Sequence, residues 1–296
     1  MNGPFPFDEL EQLTGGRLGT CDVACPRCGP QRRSATNRRR AVLRIWHREP
    51  DFSTFYCARC GIAGYAFADD RTTLSRDDRA RVARARREAE AFEREQAADR
   101  LALARWLWLQ HRPIVGTVAE HYLREARGIT GALPATLGFL PTKGDNPPAL
   151  IAAFGIPTEP EPGALMIAHT DVAGVHITRL KPDGRGKDEH EPAKVMIGKS
   201  LGWPIVLAPL NDGNGLGIVE GIEDGLSLSE TTGLGVWVAG GASRLPALAE
   251  RIPSYVNCIT IFAHADNDGM RHAAELERRL RARRLFVATA ALEAAQ

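Results

Sequence analysis

The sequence lacks several features whose absence limits what the protein can be. It has no run of about 18 apolar residues, so no membrane-spanning helix is expected. Its start, MNGPFPFDELEQL, lacks the basic and apolar stretches of a secretory signal, so a cytoplasmic location is expected. Acidic residues are missing between Val23 and Arg48, where eight Arg occur. Gly and Pro are missing from residues 75–111, which predicts one long helix.

The 296 residues are enough for about two domains, and their texture changes along the chain. Short alternating runs in residues 1–70 indicate a small β ribbon, and residues 71–111 form a linker helix. Residues 112–205 are punctuated by Pro and Gly, which favours a mixed α+β segment. In residues 206–296, the apolar runs LGIVE, GVWVA and CITIFAHAD alternate with helical intervals. This alternation predicts an α/β domain with a parallel sheet.

Four of the six Cys form two pairs with the same spacing, Cys25-Pro-Arg-Cys28 and Cys57-Ala-Arg-Cys60. Each pair is followed by Gly, and such a turn lets two thiolates approach one ion. Two pairs together supply the four thiolates that structural Zn²⁺ prefers. The sequence therefore predicts a zinc ribbon held by Cys25, Cys28, Cys57 and Cys60. A redox dithiol is the alternative, and the repeated pairing argues against it.

The arginine block of Val23–Arg48 lies within this ribbon. An unbroken basic segment suits a polyanion, although a solvated surface is the simpler interpretation of any charge run. Trp46 could stack on a base or form the core of the small domain, and the sequence leaves both interpretations open. The residues predicted to contact nucleic acid here are Arg32, Arg33, Arg38, Arg39, Arg40, Arg44 and Trp46.

Four carboxylates follow two apolar runs of the last segment. Glu220 ends LGIVE, and Asp224 lies one helical turn later; Asp266 and Asp268 follow CITIFAHA. Because parallel strands place their ligands at their carboxyl ends, these side chains are expected near one another. Converging carboxylates suit a hard cation such as Mg²⁺. Each motif alone would fit a turn or a helix cap as well as a metal site. Their occurrence together, each after an apolar run, predicts the metal site.

The sequence Glu220-Gly221-Ile222-Glu223-Asp224, with Asp266-Asn267-Asp268-Gly269, resembles the Toprim domain of bacterial-type primases, topoisomerases and certain nucleases. A CxxC…CxxC ribbon upstream of it is similar to the layout of bacterial-type DNA primases and their phage, plasmid and mobile-element relatives. The basic strand–turn–strand GVHITRL, with Pro182-Asp183-Gly184, resembles the segment before Toprim in those primases. Residues 112–205 would then be a basic primase-like subdomain, and 206–296 the Toprim domain.

The resemblance implies roles for individual residues. Glu220, Asp266 and Asp268 would hold Mg²⁺ or Mn²⁺ at the catalytic site near nucleoside triphosphates, with Asp224 in support. Four cations of the middle segment would contact phosphate and template, namely Arg179, Lys181, Lys187 and Lys194. The implied activity is synthesis of short RNA primers on single-stranded DNA, with a separate replicative helicase as a partner. A Toprim-type metal-dependent nuclease and a non-catalytic nucleic-acid-binding replication accessory are the alternatives.

Overall fold

A computed structural model of the chain describes residues 4–31, 35–69, 73–189 and 192–292. It consists of two compact units, Met1–Glu95 and Gln96–Gln296, which we call the N-terminal and C-terminal units. The mixed α/β class predicted from the sequence is confirmed. The division into four segments stays a prediction.

The N-terminal unit is built on one antiparallel sheet in the order β1-β2-β3-β4. Its first elements are α1 (Phe7–Thr14), β1 (Gly19–Ala24), α2 (Ala35–Arg39), β2 (Ala41–Glu49), β3 (Phe52–Cys57) and β4 (Ala63–Phe67). Alternate residues of β2 and β3 face inward, and Leu43, Ile45 and Phe55 form its core with Leu10 of α1. Because this apolar core is small, a metal cross-link would contribute a large part of the stability of the N-terminal unit.

The predicted long helix is confirmed as α3 (Arg76–Leu109), and the boundary between the two units falls within it. In its first turns, Arg81 pairs with Asp51 at 2.6 Å and stacks over Phe52 at 5.1 Å. Such contacts attach the first half of α3 to the sheet of the N-terminal unit. In the C-terminal unit, Ala104 and Trp108 of α3 are buried.

The C-terminal unit begins with a second antiparallel sheet, in the order β10-β9-β6-β5. Its elements are α4 (Val118–His121), a π-helical turn (Tyr122–Ala126), β5 (Leu137–Leu140), β6 (Ala149–Phe154), the hairpin β7 (Thr158–Glu161) and β8 (Ala164–Met166), a 3₁₀ turn (His169–Asp171), β9 (Gly174–Arg179) and β10 (Lys194–Gly198). The six residues of β6 are all buried, which makes it the central strand of the core.

The predicted parallel sheet is confirmed and has the order β11-β13-β12-β14-β15. Along the chain, the strands of this sheet and the helices between them are β11 (Ile205–Ala208), β12 (Gly215–Val219), α5 (Ile222–Thr232), β13 (Gly235–Val238), a 3₁₀ helix (Ala242–Glu250), β14 (Cys258–His264), α6 (Asn267–Ala282) and β15 (Val287–Leu292). The edge strand β11 is antiparallel to β13. One core packs α5 against the sheet and the preceding segment, and a second packs α6 on the other side. No helix in the described ranges is long and apolar enough to span a bilayer.

His176 in β9 makes the stability of the C-terminal unit depend on pH. Burial and, to a smaller extent, the nearby charge of Lys194 lower the pKa of this side chain from 6.5 to about 4. Below pH 6.5 the unfolded chain therefore binds more protons at this position than the folded chain, so the free energy of unfolding falls as the pH falls, and this decrease is complete below the folded pKa. We expect the free energy of unfolding to drop by about 2 kcal/mol between pH 7 and pH 5 on this account.

Chemical denaturation of His176→Gln at both pH values checks this expectation. The variant should lack that part of the pH dependence, whereas His169→Gln, which removes an exposed His of the same unit, should keep it. An unchanged pH slope in His176→Gln would contradict the assignment.

Candidate zinc centre and active site

The four predicted zinc ligands lie together in the N-terminal unit. Their sulfur atoms are all within 4.8 Å of one another, and the Cys28 and Cys57 sulfurs are 3.8 Å apart. Tetrahedral zinc with bonds of about 2.3 Å requires sulfur–sulfur distances of about 3.8 Å. The cysteines are therefore compatible with a zinc ribbon, as predicted. Within the described ranges, Cys21 and Cys258 lie outside this group.

Two glycines let the chain turn at the cysteine pairs. A Cβ on Gly29 would lie 2.6 Å from the carbonyl oxygen of Cys25, which only glycine avoids. Gly61 has a φ of 73°, in the left-handed region that favours glycine. The amides of both glycines donate to the carbonyls of Cys25 and Cys57, at 2.8 and 2.9 Å.

The electrostatics of the cluster also call for a cation. Burial and hydrogen bonds from the neighbouring thiols raise the pKa of Cys28 to about 12. Four thiols this close cannot all ionise near neutral pH unless a positive ion compensates their charge. The set of donors therefore fits Zn²⁺.

The arginine block is spread over several environments. Arg32 and Arg33 lie outside the described residues. Arg39 and Arg40 are exposed at the end of α2, as is Arg38, which has a contact of its own. Arg44 is half-buried and donates two hydrogen bonds to Asp22, at 2.6 and 2.7 Å. Its predicted phosphate contact would compete with that internal pair, and the roles of the other arginines stay predictions.

Trp46 is only 7% exposed and lines a groove within the N-terminal unit. The groove holds about 820 Å³ between the sheet and the first half of α3. Tyr56 and Tyr65 line it from the sheet, and Arg86 and Arg94 from the helix. Most of the Trp46 ring is thus core, and its remaining surface borders a groove that contains aromatic and cationic side chains.

Glu220 follows β12 at the carboxyl end of the parallel sheet, where the sequence predicted it. Its Oε1 atom is buried and has no hydrogen-bond partner among the described residues. Burial raises the pKa of Glu220, an effect that His264 opposes and that Asp266 and Asp224 increase. A buried carboxylate oxygen without a donor is a ligand atom suited to a hard cation.

Asp266 and Asp268 lie at the start of α6. Asp266 caps the helix, since its Oδ1 accepts the amide of Gly269 at 2.7 Å. A Cβ on Gly269 would lie 2.9 Å from Glu220 Oε1 and 3.3 Å from Asp266 Oδ1, so this glycine lets the two carboxylates approach. Asp268 is exposed and pairs with Arg271 at 2.9 Å.

Asp224 lies in the first turn of α5 and pairs with His264 Nε2 at 3.3 Å. Both residues, with Glu220, line a cleft of about 290 Å³. The other residues of this cleft, which we call the carboxylate cleft, are Arg127, Lys187, Lys194, Gly221, Glu223, Gly240 and Gly241. Among the described residues, Asp266 and Asp268 are outside its lining. The four predicted carboxylates are therefore near one end of the sheet without forming as tight a group as the cysteines.

The cationic part of the carboxylate cleft is organised around Glu223. Its Oε1 accepts from the Tyr122 hydroxyl at 2.7 Å and pairs with Lys187 Nζ at 2.8 Å. Burial opposes its ionisation, but Lys194, Lys187 and Tyr122 together lower the pKa of Glu223 to about 2. Arg127 Nε donates to the Tyr122 oxygen at 2.9 Å, and its guanidinium stacks over the ring.

The four predicted phosphate-binding cations of the middle segment are divided between two places. Lys187 and Lys194 line the carboxylate cleft. Arg179 lines a separate depression with Asp145 and Asp188, and Lys181 pairs with Glu189 at 2.7 Å. The sequence analysis indicated no roles for Tyr122, Arg127 and Glu223, although Glu223 lies in the motif Glu220–Asp224 that carried the resemblance.

Comparison with known families assigns the C-terminal segment of the chain to a family. Residues 215–293 match the family model of the Toprim domain. This region is a Toprim domain. The resemblance of this segment to Toprim is thereby confirmed, and the carboxylate cleft lies at the carboxyl end of its sheet. The metal-binding and catalytic roles of Glu220, Asp224, Asp266 and Asp268 stay predictions. Residues 98–207 match a second family model, described as a domain of unknown function (DUF7146).

Three solved structures similar to this chain are primase fragments or domains. The primase fragment of the bacteriophage T7 primase-helicase protein is 16% identical, with a TM-score of 0.37, over 58% of this chain. A DNA primase domain from Pseudomonas aeruginosa is 9% identical, with a TM-score of 0.36, over 58% of this chain. The zinc binding and RNA polymerase domains of Aquifex aeolicus primase are 15% identical, with a TM-score of 0.40, over 97% of this chain and 77% of that one.

The chain spans 60% of the T7 fragment and 51% of the Pseudomonas domain. Comparison with curated proteins gave no match.

Proposed function

We propose that the protein is a primase-type nucleotidyltransferase, which synthesises short RNA primers on single-stranded DNA from nucleoside triphosphates. The observation that carries this proposal is the carboxylate cleft, which the Toprim domain and the preceding residues 98–207 line together. It places an acidic group beside a cationic group, and phosphoryl transfer requires both. The four-cysteine cluster in the N-terminal unit and the exposed arginines of α2 support contact with a nucleic-acid strand.

In this proposal the acidic residues divide the work. Glu220, Asp266 and Asp268 hold the divalent ion, and Asp224 supports them through its position in the first turn of α5. Mg²⁺ or Mn²⁺, when bound, stabilises the negative charge that develops on phosphate oxygens. Lys187, Lys194 and Arg127 bind and orient the phosphates of the nucleotide. The Tyr122 hydroxyl keeps its proton, because burial raises its pKa and Glu223 accepts the hydrogen bond.

Incubation of the purified protein with single-stranded DNA, four labelled nucleoside triphosphates and Mg²⁺ or Mn²⁺ tests the proposal. The expected result is labelled oligoribonucleotides that depend on both template and metal. A 5′-labelled template in the same reaction distinguishes the alternatives. Shortening of that template would identify a nuclease, and binding without synthesis or cleavage would identify an accessory protein; either outcome would overturn the proposal.

A further inference from the structure

Two adjacent carboxylates in the first turn of α5 meet entirely different partners. Successive residues of a helix are rotated by about 100°, so neighbours point in different directions. Asp224 points to His264, whereas Glu223 accepts from Tyr122 and pairs with Lys187. A site that used all its carboxylates for a metal ion would not place one of them among cations. The function of Glu223 therefore differs from that of Asp224.

Separate segments of the chain converge on Glu223. Tyr122 begins a π-helical turn, a rare conformation that is frequent at functional sites, and Arg127 follows that turn. Lys187 comes from the turn between β9 and β10. The contact between Tyr122 and Glu223 joins residues 101 positions apart, so it forms only when the C-terminal unit is fully folded. Glu223 is the point at which these segments are fixed to α5.

Three cations line the carboxylate cleft, Arg127, Lys187 and Lys194, together with three carboxylates, Glu220, Glu223 and Asp224. Among these carboxylates, Glu223 is the one paired with Lys187, so the cationic group is centred on it. The side chains of Lys187 and Glu223 are 27% and 18% exposed, so an anion can reach them from the cleft. A group with several negative charges and a small volume, such as a triphosphate, fits this arrangement.

We propose that Glu223 is a positioning residue for triphosphate binding. It holds Lys187 directly, and Arg127 through the Tyr122 hydroxyl, so that both cations face the carboxylate cleft. This inference rests on the proposed function and deepens it, since it assigns the triphosphate of the nucleotide to these cations. It also assigns Glu223 no contact with the divalent ion.

The substitution Glu223→Gln gives opposite results for a positioning role and for a purely electrostatic one. By Coulomb's law alone, removal of a negative charge beside three cations would strengthen the binding of an anion. If Glu223 orients Lys187 and Arg127, the same substitution weakens binding, because Lys187 loses its ion pair and a neutral amide holds the Tyr122 hydroxyl, and through it Arg127, less firmly. Weaker triphosphate binding by Glu223→Gln would therefore support the positioning role, and stronger binding would support the purely electrostatic one.

Isothermal titration calorimetry of the full chain measures the affinity for two probes. The first is inorganic triphosphate without divalent metal, and the second is Mn²⁺ alone. We expect Glu223→Gln to raise the Kd for triphosphate about tenfold, the effect of one charged hydrogen-bond partner, and to leave the Mn²⁺ affinity within about twofold. Glu230→Gln is the matched control on the same helix. Glu230 accepts from Thr130 and Gly131, away from the cleft, and its substitution should change neither affinity.

Further variants separate positioning from a general loss of structure. Glu223→Asp keeps the charge and should recover part of the triphosphate affinity, and Tyr122→Phe should weaken binding less than Glu223→Gln. Because Glu223 and Tyr122 act through one network, the effects of Glu223→Gln and Tyr122→Phe on triphosphate binding should be less than additive in the double variant. If Glu223→Gln does not fold, Lys187→Gln tests the same contact and should weaken triphosphate binding by a similar factor.

Triphosphate binding by Glu223→Gln that equals or exceeds that of the unaltered protein would overturn the positioning role alone. Loss of Mn²⁺ affinity in this variant, to the extent seen in Asp266→Asn, would make Glu223 a metal ligand and would also overturn it. Failure of the unaltered protein to bind triphosphate would overturn the proposed function together with this inference.

Discussion

Substitution of Cys25 by Ser is expected to release zinc and to unfold the N-terminal unit. The cysteine cluster has no spare ligand in the described ranges, since Cys21 and Cys258 lie outside it. Structural zinc contributes an apparent binding free energy of about 10–16 kcal/mol to small zinc domains, and this is also their folding free energy. The apolar core around Leu10, Leu43 and Phe55 is too small to replace that contribution.

The measurement is the metal content of the purified chain together with circular dichroism and limited proteolysis. The unaltered protein should carry one zinc ion per chain, and Cys25→Ser close to none, with cleavage confined to residues 1–95. Cys21→Ser is the matched control, because it removes a half-buried thiol on β1 without touching the cluster. Unchanged zinc content in Cys25→Ser would refute the four-cysteine centre.

Asp266→Asn is expected to reduce primer synthesis by at least about a thousandfold, since a missing metal ligand removes several kcal/mol of charge stabilisation. This substitution is more informative than Asp266→Ala. Asp266 caps α6 through its Oδ1, and Asn caps a helix as well as Asp does. Asp266→Asn therefore removes the negative charge and keeps the cap, whereas Ala would remove both.

The experiment compares primer synthesis, Mn²⁺ affinity and melting temperature in the same preparations. We expect Asp266→Asn to lose synthesis and Mn²⁺ binding while its melting temperature changes little. Asp212→Asn is the control, because Asp212 is an exposed carboxylate just before β12, at the opposite end of that strand from Glu220. Synthesis by Asp266→Asn at more than a tenth of the normal rate would exclude Asp266 as an essential metal ligand.

Local patterns were sufficient for the parallel sheet and its acidic end. The apolar run that ends at Val219 is long enough for a buried strand, and the polar residues after it must lie at its carboxyl end. The spacing of Cys25 and Cys28 likewise predicts a turn that two thiolates can share. In both cases neighbouring residues carry the information, so one sequence is enough.

Other elements depend on contacts that a single sequence does not encode locally. One of the helical intervals expected between the apolar runs, Ala242–Glu250, is a 3₁₀ helix with Pro246 inside it. Proline lacks the amide that a regular helix requires there. The antiparallel edge strand β11 is only four residues long and gives little periodic signal. Predicting that Arg44 pairs with Asp22 requires the register of β1 against β2.

The cations of the middle segment show the same limit. In the sequence, Lys187 and Arg179 are equally good candidates for phosphate binding, because both are basic residues of one strand–turn–strand segment. Only the folded chain separates them, because Lys187 reaches Glu223 and Arg179 lines a different depression. The partners Tyr122 and Glu223 could not be paired from sequence alone, since no local pattern links residues so far apart.

The uneven exposure of the zinc ligands has a consequence for how long the metal stays bound. Cys25, Cys28 and Cys57 are buried, whereas Cys60 is exposed. A chelator or an oxidant therefore reaches the centre at the Cys60 sulfur, where replacing a single bond begins the exchange. With zinc bound, we expect its residence time to be set at Cys60, separately from its affinity, and oxidation of that one thiol to convert a durable cross-link into a transient one.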